Sequence, residues 1–165
     1  MRPTMPSPEQ VRQLPPLITA RVPAHWEDIN GHVNVRHYLE LYDLAGDAML
    51  AQLGLDESHF RDGRQGFFDL EHHLWYLAEI HAGDEVSVHL RYLSRSAKRI
   101  HGVVFVLNSS RGRLSSAMEF VSTGADLDAR RTAPLPQHVG ARLDELVAAH
   151  RMLDWAAPRS GVMSA

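Results

Sequence analysis

The densest run of chemically active side chains is Trp26-Glu27-Asp28-Ile29-Asn30-Gly31-His32-Val33-Asn34, which sets carboxylates, two amides and an imidazole a few residues apart. Asn30-Gly31 is a turn dipeptide, and Asn34 is a residue type that caps helices. A helix starting there would turn the backbone N–H groups of residues 31–35 outward at the positive end of its dipole, which suits an oxygen gaining negative charge. Gly31 lets a carbonyl approach the backbone closely, with Asp28 placed to face it from the other side. Together these parts resemble an acyl-transfer site. They also have a purely architectural use: Asp28 and Asn30 close an Asx turn, His32 packs on Trp26, and Asn34 merely caps the helix. On spacing alone the architectural use is the commoner.

Other groups carry weaker signals. Glu71 and His73 share one face of an extended stretch, as acid–base residues or as a solvated strand face. Glu119 lies in a stretch of apolar and small residues, where an arginine on a neighbouring strand would explain it, and it is not counted with the site. Lys98 and Arg99, with Arg95 nearby, form a basic turn able to hold phosphates, although charged hairpin tips are common. The 11 histidines lack the paired helical spacing of familiar zinc sites, so no metal is expected. No glycine-rich phosphate loop follows a strand, and no serine sits in a nucleophile elbow.

The elements that would position these groups follow from hydrophobic period. Residues 17–24 alternate as a first strand, with Pro23 near its end. From Val35, Tyr38, Leu41, Tyr42, Ala45, Ala48, Met49 and Leu53 recur at helical spacing, and Gly54 is a C-cap, which predicts one long helix. Residues 67–80 alternate as a long strand with Phe68, Leu70, His72, Leu74, Tyr76, Ala78 and Ile80 on one face. Ala82-Gly83-Asp84 turns the chain into a third strand through Tyr92; residues 100–107 read as a central strand and 114–125 as a fifth. Pro136 opens a last helix over 137–153. One strand, a helix and four strands joined by short turns give an antiparallel sheet with a helix packed on it, of the α+β class. Residues 1–15 are expected as a flexible arm, 16–154 as a single domain and 155–165 as a flexible tail.

Composition agrees with one compact domain: 165 residues, 44% hydrophobic and 22% charged. A formal charge of −3 gives no general attraction to nucleic acid or anionic lipid. The absence of cysteine excludes a disulfide framework, a thiol nucleophile and thiolate metal sites. The polar, proline-containing start lacks a signal-peptide pattern, and no run is long enough to span a bilayer, so a cytoplasmic location is expected.

Asp28, Asn30, Gly31, His32, Asn34 and Tyr38, in that spacing, resemble the motif of hotdog-fold acyl-CoA thioesterases of the 4-hydroxybenzoyl-CoA thioesterase class. The order of elements over 17–127 is similar to that fold, and Gly83-Asp84-Glu85-Val86 is similar to the turn opening its third strand. The run from Trp26 to Asp47, with Glu71, His73, Lys98, Arg99 and the region of Pro134 and Pro136, looks most like the betainyl-CoA or carnitinyl-CoA branch. The resemblance implies a five-stranded sheet around one long helix, with an extra C-terminal helix. It also implies hydrolysis of a small or medium acyl-CoA without metal or cofactor. Asp28 is then nucleophile or general base, Asn30 orients it, His32 orients or protonates a reacting group, and amides of residues 31–35 polarise the carbonyl. Glu71 would reach the pocket of a partner subunit in a homodimer or homotetramer. Trp26, Asn34, Tyr38, Lys98 and Arg99 would contact substrate. The alternatives are a hotdog hydratase and a catalytically silent acyl-CoA-binding scaffold; release of free thiol from acyl-CoA separates hydrolysis from both.

Overall fold

The computed structural model describes residues 3–165. In chain order the elements are α1 (Pro8–Val11), β1 (Pro16–Arg21), a 3-10 turn (Ala24–Trp26), α2 (Arg36–Leu44), α3 (Gly46–Gln52), α4 (Glu57–Asp62), β2 (Gln65–Tyr76), β3 (Glu85–Arg95), β4 (Arg99–Asn108), β5 (Arg113–Asp126), β6 (Arg131–Thr132) and α5 (Gln137–Arg151). The strands form one antiparallel sheet in the order β1-β3-β4-β5-β2, with the short β6 added to β5. This is the expected α+β arrangement, with β4 central and β2 at an edge.

The sheet buries both faces. On the inner face Val86, Val88, Leu90 and Tyr92 of β3 and Met118 and Phe120 of β5 pack with Tyr38, Leu41 and Tyr42 of α2 and with Val139, Leu143 and Val147 of α5. Removing a leucine such as Leu41 from water contributes roughly 1.5–3 kcal/mol, so these stripes fix both helices on the sheet. On the outer face Phe105, Leu107, Ala117 and Trp75 pack with Val11, Leu14 and Trp155.

That outer layer corrects the expectation of two free tails. Residues 8–11 form a capped helical turn in which Ser7 Oγ accepts from Gln10 N and Gln10 Oε1 accepts from Ser7 N, and Val11 and Leu14 are buried. At the other end Trp155 is buried and donates from Nε1 to Gln13 Oε1 at 2.9 Å. Their apolar side chains cover a sheet face that would otherwise be wet. Met1 and Arg2 of the expected arm lie outside the described residues.

The single long helix is two. Ala45 N–H bonds to Tyr42 O, three residues back, so α2 ends in a tightened turn and Gly46, a poor helix former, opens α3. The face assignment of β2 is also corrected. Asp69 pairs with Ser122 and Glu71 with Val121, which leaves Leu70 as a bulge. The extra residue reverses the alternation: His72, Leu74 and Tyr76 share the inner face with Asp69, not with Phe68. Phe68, Leu70 and Tyr76 are 65%, 44% and 48% exposed along this edge strand.

Candidate active site

The Asp28 run folds as a miniature hairpin. Glu27 and Val33 form an isolated bridge, Asp28 N–H donates to His32 O at 3.0 Å, and Gly31 N–H donates to Asp28 O at 3.0 Å. Gly31 takes φ 76°, a conformation that glycine adopts without a Cβ penalty. The hairpin is fastened to the segment after β2: Val33 N–H donates to Ile80 O at 2.8 Å, Ala82 N–H to Glu27 Oε1 at 2.8 Å, and His81 Nδ1 lies 2.9 Å from Gly31 O.

Each oxygen of the Asp28 carboxylate accepts one hydrogen bond, Oδ1 from Asn30 N–H at 2.8 Å and Oδ2 from the Asn34 side-chain amide at 3.1 Å. The Asn30 N–H holds the carboxyl below its ordinary range, with the Asn34 amide and the nearby His32 acting in the same direction against partial burial. The architectural Asx turn and a positioned, ionised carboxylate are therefore the same structure. The remaining lone pairs face no other donor among the described residues.

Asn34 is the joint between the site and the helix. Its Nδ2 holds Asp28, while its Oδ1 accepts from Arg36 N–H at 3.2 Å and its backbone O from His37 N–H at 3.0 Å, at the start of α2. The carboxylate is thus oriented by the backbone of Asn30 and the side chain of Asn34, where the resemblance gave this task to Asn30. The set of candidate oxyanion donors also narrows. Gly31 N–H is taken by Asp28 O, Val33 N–H by Ile80 O and Asn34 N–H by Trp26 O, which leaves the amides of His32 and Val35 without an acceptor among the described residues. His32 and Val35 line one cavity of about 340 Å³ with Tyr38, Tyr76 and Glu79. His32 Nδ1 lies 3.2 Å from Val33 O.

The other sequence candidates are dispersed. Trp26 is buried and stacked on His37, with ring centroids 4.7 Å apart, so His37 and not His32 covers it and its indole faces no substrate cavity. Tyr38 is buried but reaches the cavity, its ring edge-on to Tyr76 at 5.1 Å. Glu71 stands on the outer face of β2, and its distance in sequence from Tyr76 puts it roughly 17 Å along the strand from the end that approaches the hairpin. Lys98 and Arg99 lie at the β3–β4 turn, whereas the hairpin adjoins the opposite end of β3 through Ala82 N–H to Glu27 Oε1. One chain therefore joins Asp28, Asn30, Gly31, His32, Asn34 and Tyr38 and leaves Glu71, Lys98 and Arg99 apart from them.

A second, larger cavity of about 510 Å³ opens between the C-terminal half of α2 and the sheet, lined by Glu40, Tyr42, Asp43, Asp69, His72 and Phe120 among others. Asp69 is held by His72 Nε2 at 3.2 Å and by Ser122 Oγ, and the His72 contact keeps its carboxyl below the ordinary range. Asp69 and His72 went unrecognised in the sequence because only the Leu70 bulge brings them to one face. Glu119 meets a histidine instead of the expected arginine: its Oε1 lies 2.8 Å from His101 Nε2, both fully buried. Among the described residues no group of three or more His, Cys, Asp or Glu is arranged to hold a metal ion, and no helix is long and apolar enough to cross a membrane.

Comparison with known proteins adds to this geometry. The model of the thioesterase-like superfamily matches residues 22–143. A betainyl-CoA thioesterase of Pseudomonas aeruginosa is 34% identical over 78% of this chain and 80% of its own. An L-carnitine dehydrogenase/betainyl-CoA thioesterase of Rhizobium meliloti is 30% identical over 84% of this chain, which spans only 28% of that longer protein. Among solved structures, a Staphylococcus aureus protein in complex with CoA superposes with a TM-score of 0.77 at 22% identity, covering 84% of this chain and 87% of its own. A 1,4-dihydroxy-2-naphthoyl-CoA thioesterase from Synechocystis does so at 0.69 and 21%, covering 78% and 95%. The sheet and central helix shared with them are the hotdog fold.

Proposed function

Because the chain belongs to the thioesterase-like superfamily, we propose that it hydrolyses an acyl-CoA thioester at Asp28. The observation that carries this reading is the ionised carboxylate held on both oxygens beside a helix start where His32 and Val35, whose amides meet no acceptor among the described residues, line a common cavity. A carboxylate with two oxyanion donors suffices for a thioester, whose thiolate is a good leaving group. Water adds to the carbonyl as Asp28 takes its proton, the amides stabilise the oxyanion, the C–S bond breaks, and the proton passes to the thiolate. If Asp28 itself attacks, an anhydride forms first and water then cleaves it. When water attacks the Asp28 carbonyl of the anhydride, single turnover in isotopically labelled water leaves label in the Asp28 carboxylate and none in the released acid, an outcome that the general-base route does not give.

The acyl group is proposed to be small or medium and cationic. The larger cavity offers Tyr42 and Phe120 faces with Glu40, Asp43 and Asp69 carboxylates, the combination that binds a quaternary ammonium. The name of the Pseudomonas relative supports that class. This cavity and the chain's own Asp28 lie at opposite ends of α2, whose nine residues span about 13 Å. A homodimer resolves the separation. Antiparallel pairing of two β2 edges about their midpoint sets the Tyr76 end of one copy, and with it the Asp28 hairpin, beside the Asp69 end of the other. The same pairing covers Phe68 and Leu70 and brings Glu71 to the seam as a contributor to the partner's site; further pairing into tetramers would bring in Lys98 and Arg99. The reading places the reaction in the cytoplasm and needs no cofactor. The test is free-thiol release from a panel of acyl-CoA esters: turnover fastest with betainyl-CoA is expected, and no release from any ester overturns the assignment.

A further inference from the structure

Beyond the reach of β1, which ends its pairing at His89, the edge of β3 is covered by the end of α5 and the segment after it. There a cavity of about 380 Å³ is lined by Arg91, Ser94, His150, Arg151 and Arg159 among others, with no carboxylate in its wall. Arg91 is only 7% exposed. Its Nη1 donates to Trp155 O at 2.7 Å and its Nη2 to His150 O at 2.9 Å, and its guanidinium lies 4.1 Å from the Trp155 ring centre. These partners are neutral, so among the described residues a buried cation stands without an anion, a costly arrangement unless something compensates it. Arg159 increases the cost, because its charge repels that of Arg91. Neither Arg151 nor Arg159 is in an ion pair among the described residues.

Nearby carboxylates are committed elsewhere. Glu119 accepts from Ser160 N–H at 2.6 Å and engages His101, and Asp154 faces Gln13 at 3.5 Å. His150 Nδ1 accepts from Tyr92 N–H at 2.9 Å, which places the proton of the neutral ring on Nε2 as a further donor. We propose that this cavity is an anion site that takes the phosphate group of a small ligand, with Arg91 as its buried floor and Arg151 and Arg159 closing over it. Guanidinium forks match phosphate oxygens, and a dianion would offset two of the three positive charges that crowd the cavity. The site is remote from Asp28, and the proposal does not rest on thioester hydrolysis.

Calorimetric titration of the full chain with inorganic phosphate, adenosine monophosphate and adenosine tests it. Saturable binding of phosphate or of the nucleotide is expected, weakened at least about tenfold in Arg159→Glu and further in Arg151→Glu/Arg159→Glu, since a charge-assisted contact contributes about that much. Both positions are exposed, and an unchanged melting temperature would show that the fold is kept. Tighter binding of the nucleotide than of phosphate identifies a nucleotide phosphate as the source, and equal affinity identifies free phosphate. The proposal is overturned by the absence of saturable binding at millimolar ligand, by binding of adenosine as tight as that of its monophosphate, or by affinities indifferent to the substitutions.

Discussion

Asp28 has its oxygens fixed from two directions, and its replacement separates charge from shape. Asp28→Asn should lower kcat by at least about a hundredfold with an unchanged Tm, as loss of a positioned acid–base group does. Near-normal turnover would remove Asp28 from the reaction. The same hydrogen bonds set the acid limb. With its carboxyl held below the ordinary value of 3.8, Asp28 stays ionised as the pH falls to that point. A plot of kcat/KM against pH should therefore show no Asp28 inflection above it. Gly31 supplies a third test. A Cβ there would meet nothing within 4 Å, so the constraint is its positive φ and not crowding by the chain. Gly31→Ala should lose about 1 kcal/mol, and Gly31→Asn, which tolerates that conformation, less; paired Tm and turnover measurements would show whether the open space belongs to a substrate. The motif singles out Asp28 in the sequence, and the Asx turn it forms was legible there. The service of Asn34 was not, because holding a carboxylate six residues back requires the hairpin to be closed.

At the level of elements, periodicity located β1, the four later strands and α5 and missed what interrupts a period. The alternation of residues 67–80 is real on each side of Leu70, but one extra residue moves Phe68 to the face opposite His72. The helical pattern runs through Ala45 because α3 begins at the very next residue and Met49 N–H bonds back to Ala45 O, and only the hydrogen bond of Ala45 to Tyr42 O reveals the break. α4 escaped because six mostly polar residues carry no stripe; Asp56 caps it by accepting from Ser58 and His59 N–H. The exposed edge of β2 yields its own prediction. A long exposed edge carrying Phe68 and Leu70 invites pairing, and isologous pairing closes it. Sedimentation should show at least a dimer at micromolar concentration, and Phe68→Asp/Leu70→Asp should give a folded monomer with little turnover. A fully active monomer would exclude the shared-site arrangement.

For the molecule as a whole, the unanticipated feature is the outer layer. Val11, Leu14 and Trp155 are spaced too widely for any local pattern, and the sheet face they cover exists only after folding. Two histidines lie in or beside it: buried His89, whose Nδ1 bonds Leu14 O at 2.8 Å, and half-buried His150, whose backbone O accepts from Arg91. Burial lowers both below 6.5, and Arg91 adds to the effect at His150. The unfolded chain therefore binds these protons first, so their contribution to stability is complete above about pH 6.5 and declines as the pH falls below it. Thermal melts across that interval should show Tm falling on acidification, and less so in His89→Gln. Trp155→Ala should cost about 3–5 kcal/mol, as truncation of a buried tryptophan does.

The bond from Trp155 to Gln13 brings together residues near the two ends of the chain and does so over the outer face, while the Asp28 hairpin leads into α2 on the inner one. Dyes placed on the exposed neighbours Arg12 and Asp154 would therefore exchange excitation efficiently in the native protein, and the loss of that transfer on warming would report detachment of the outer layer, whether or not the inner face had yet come apart.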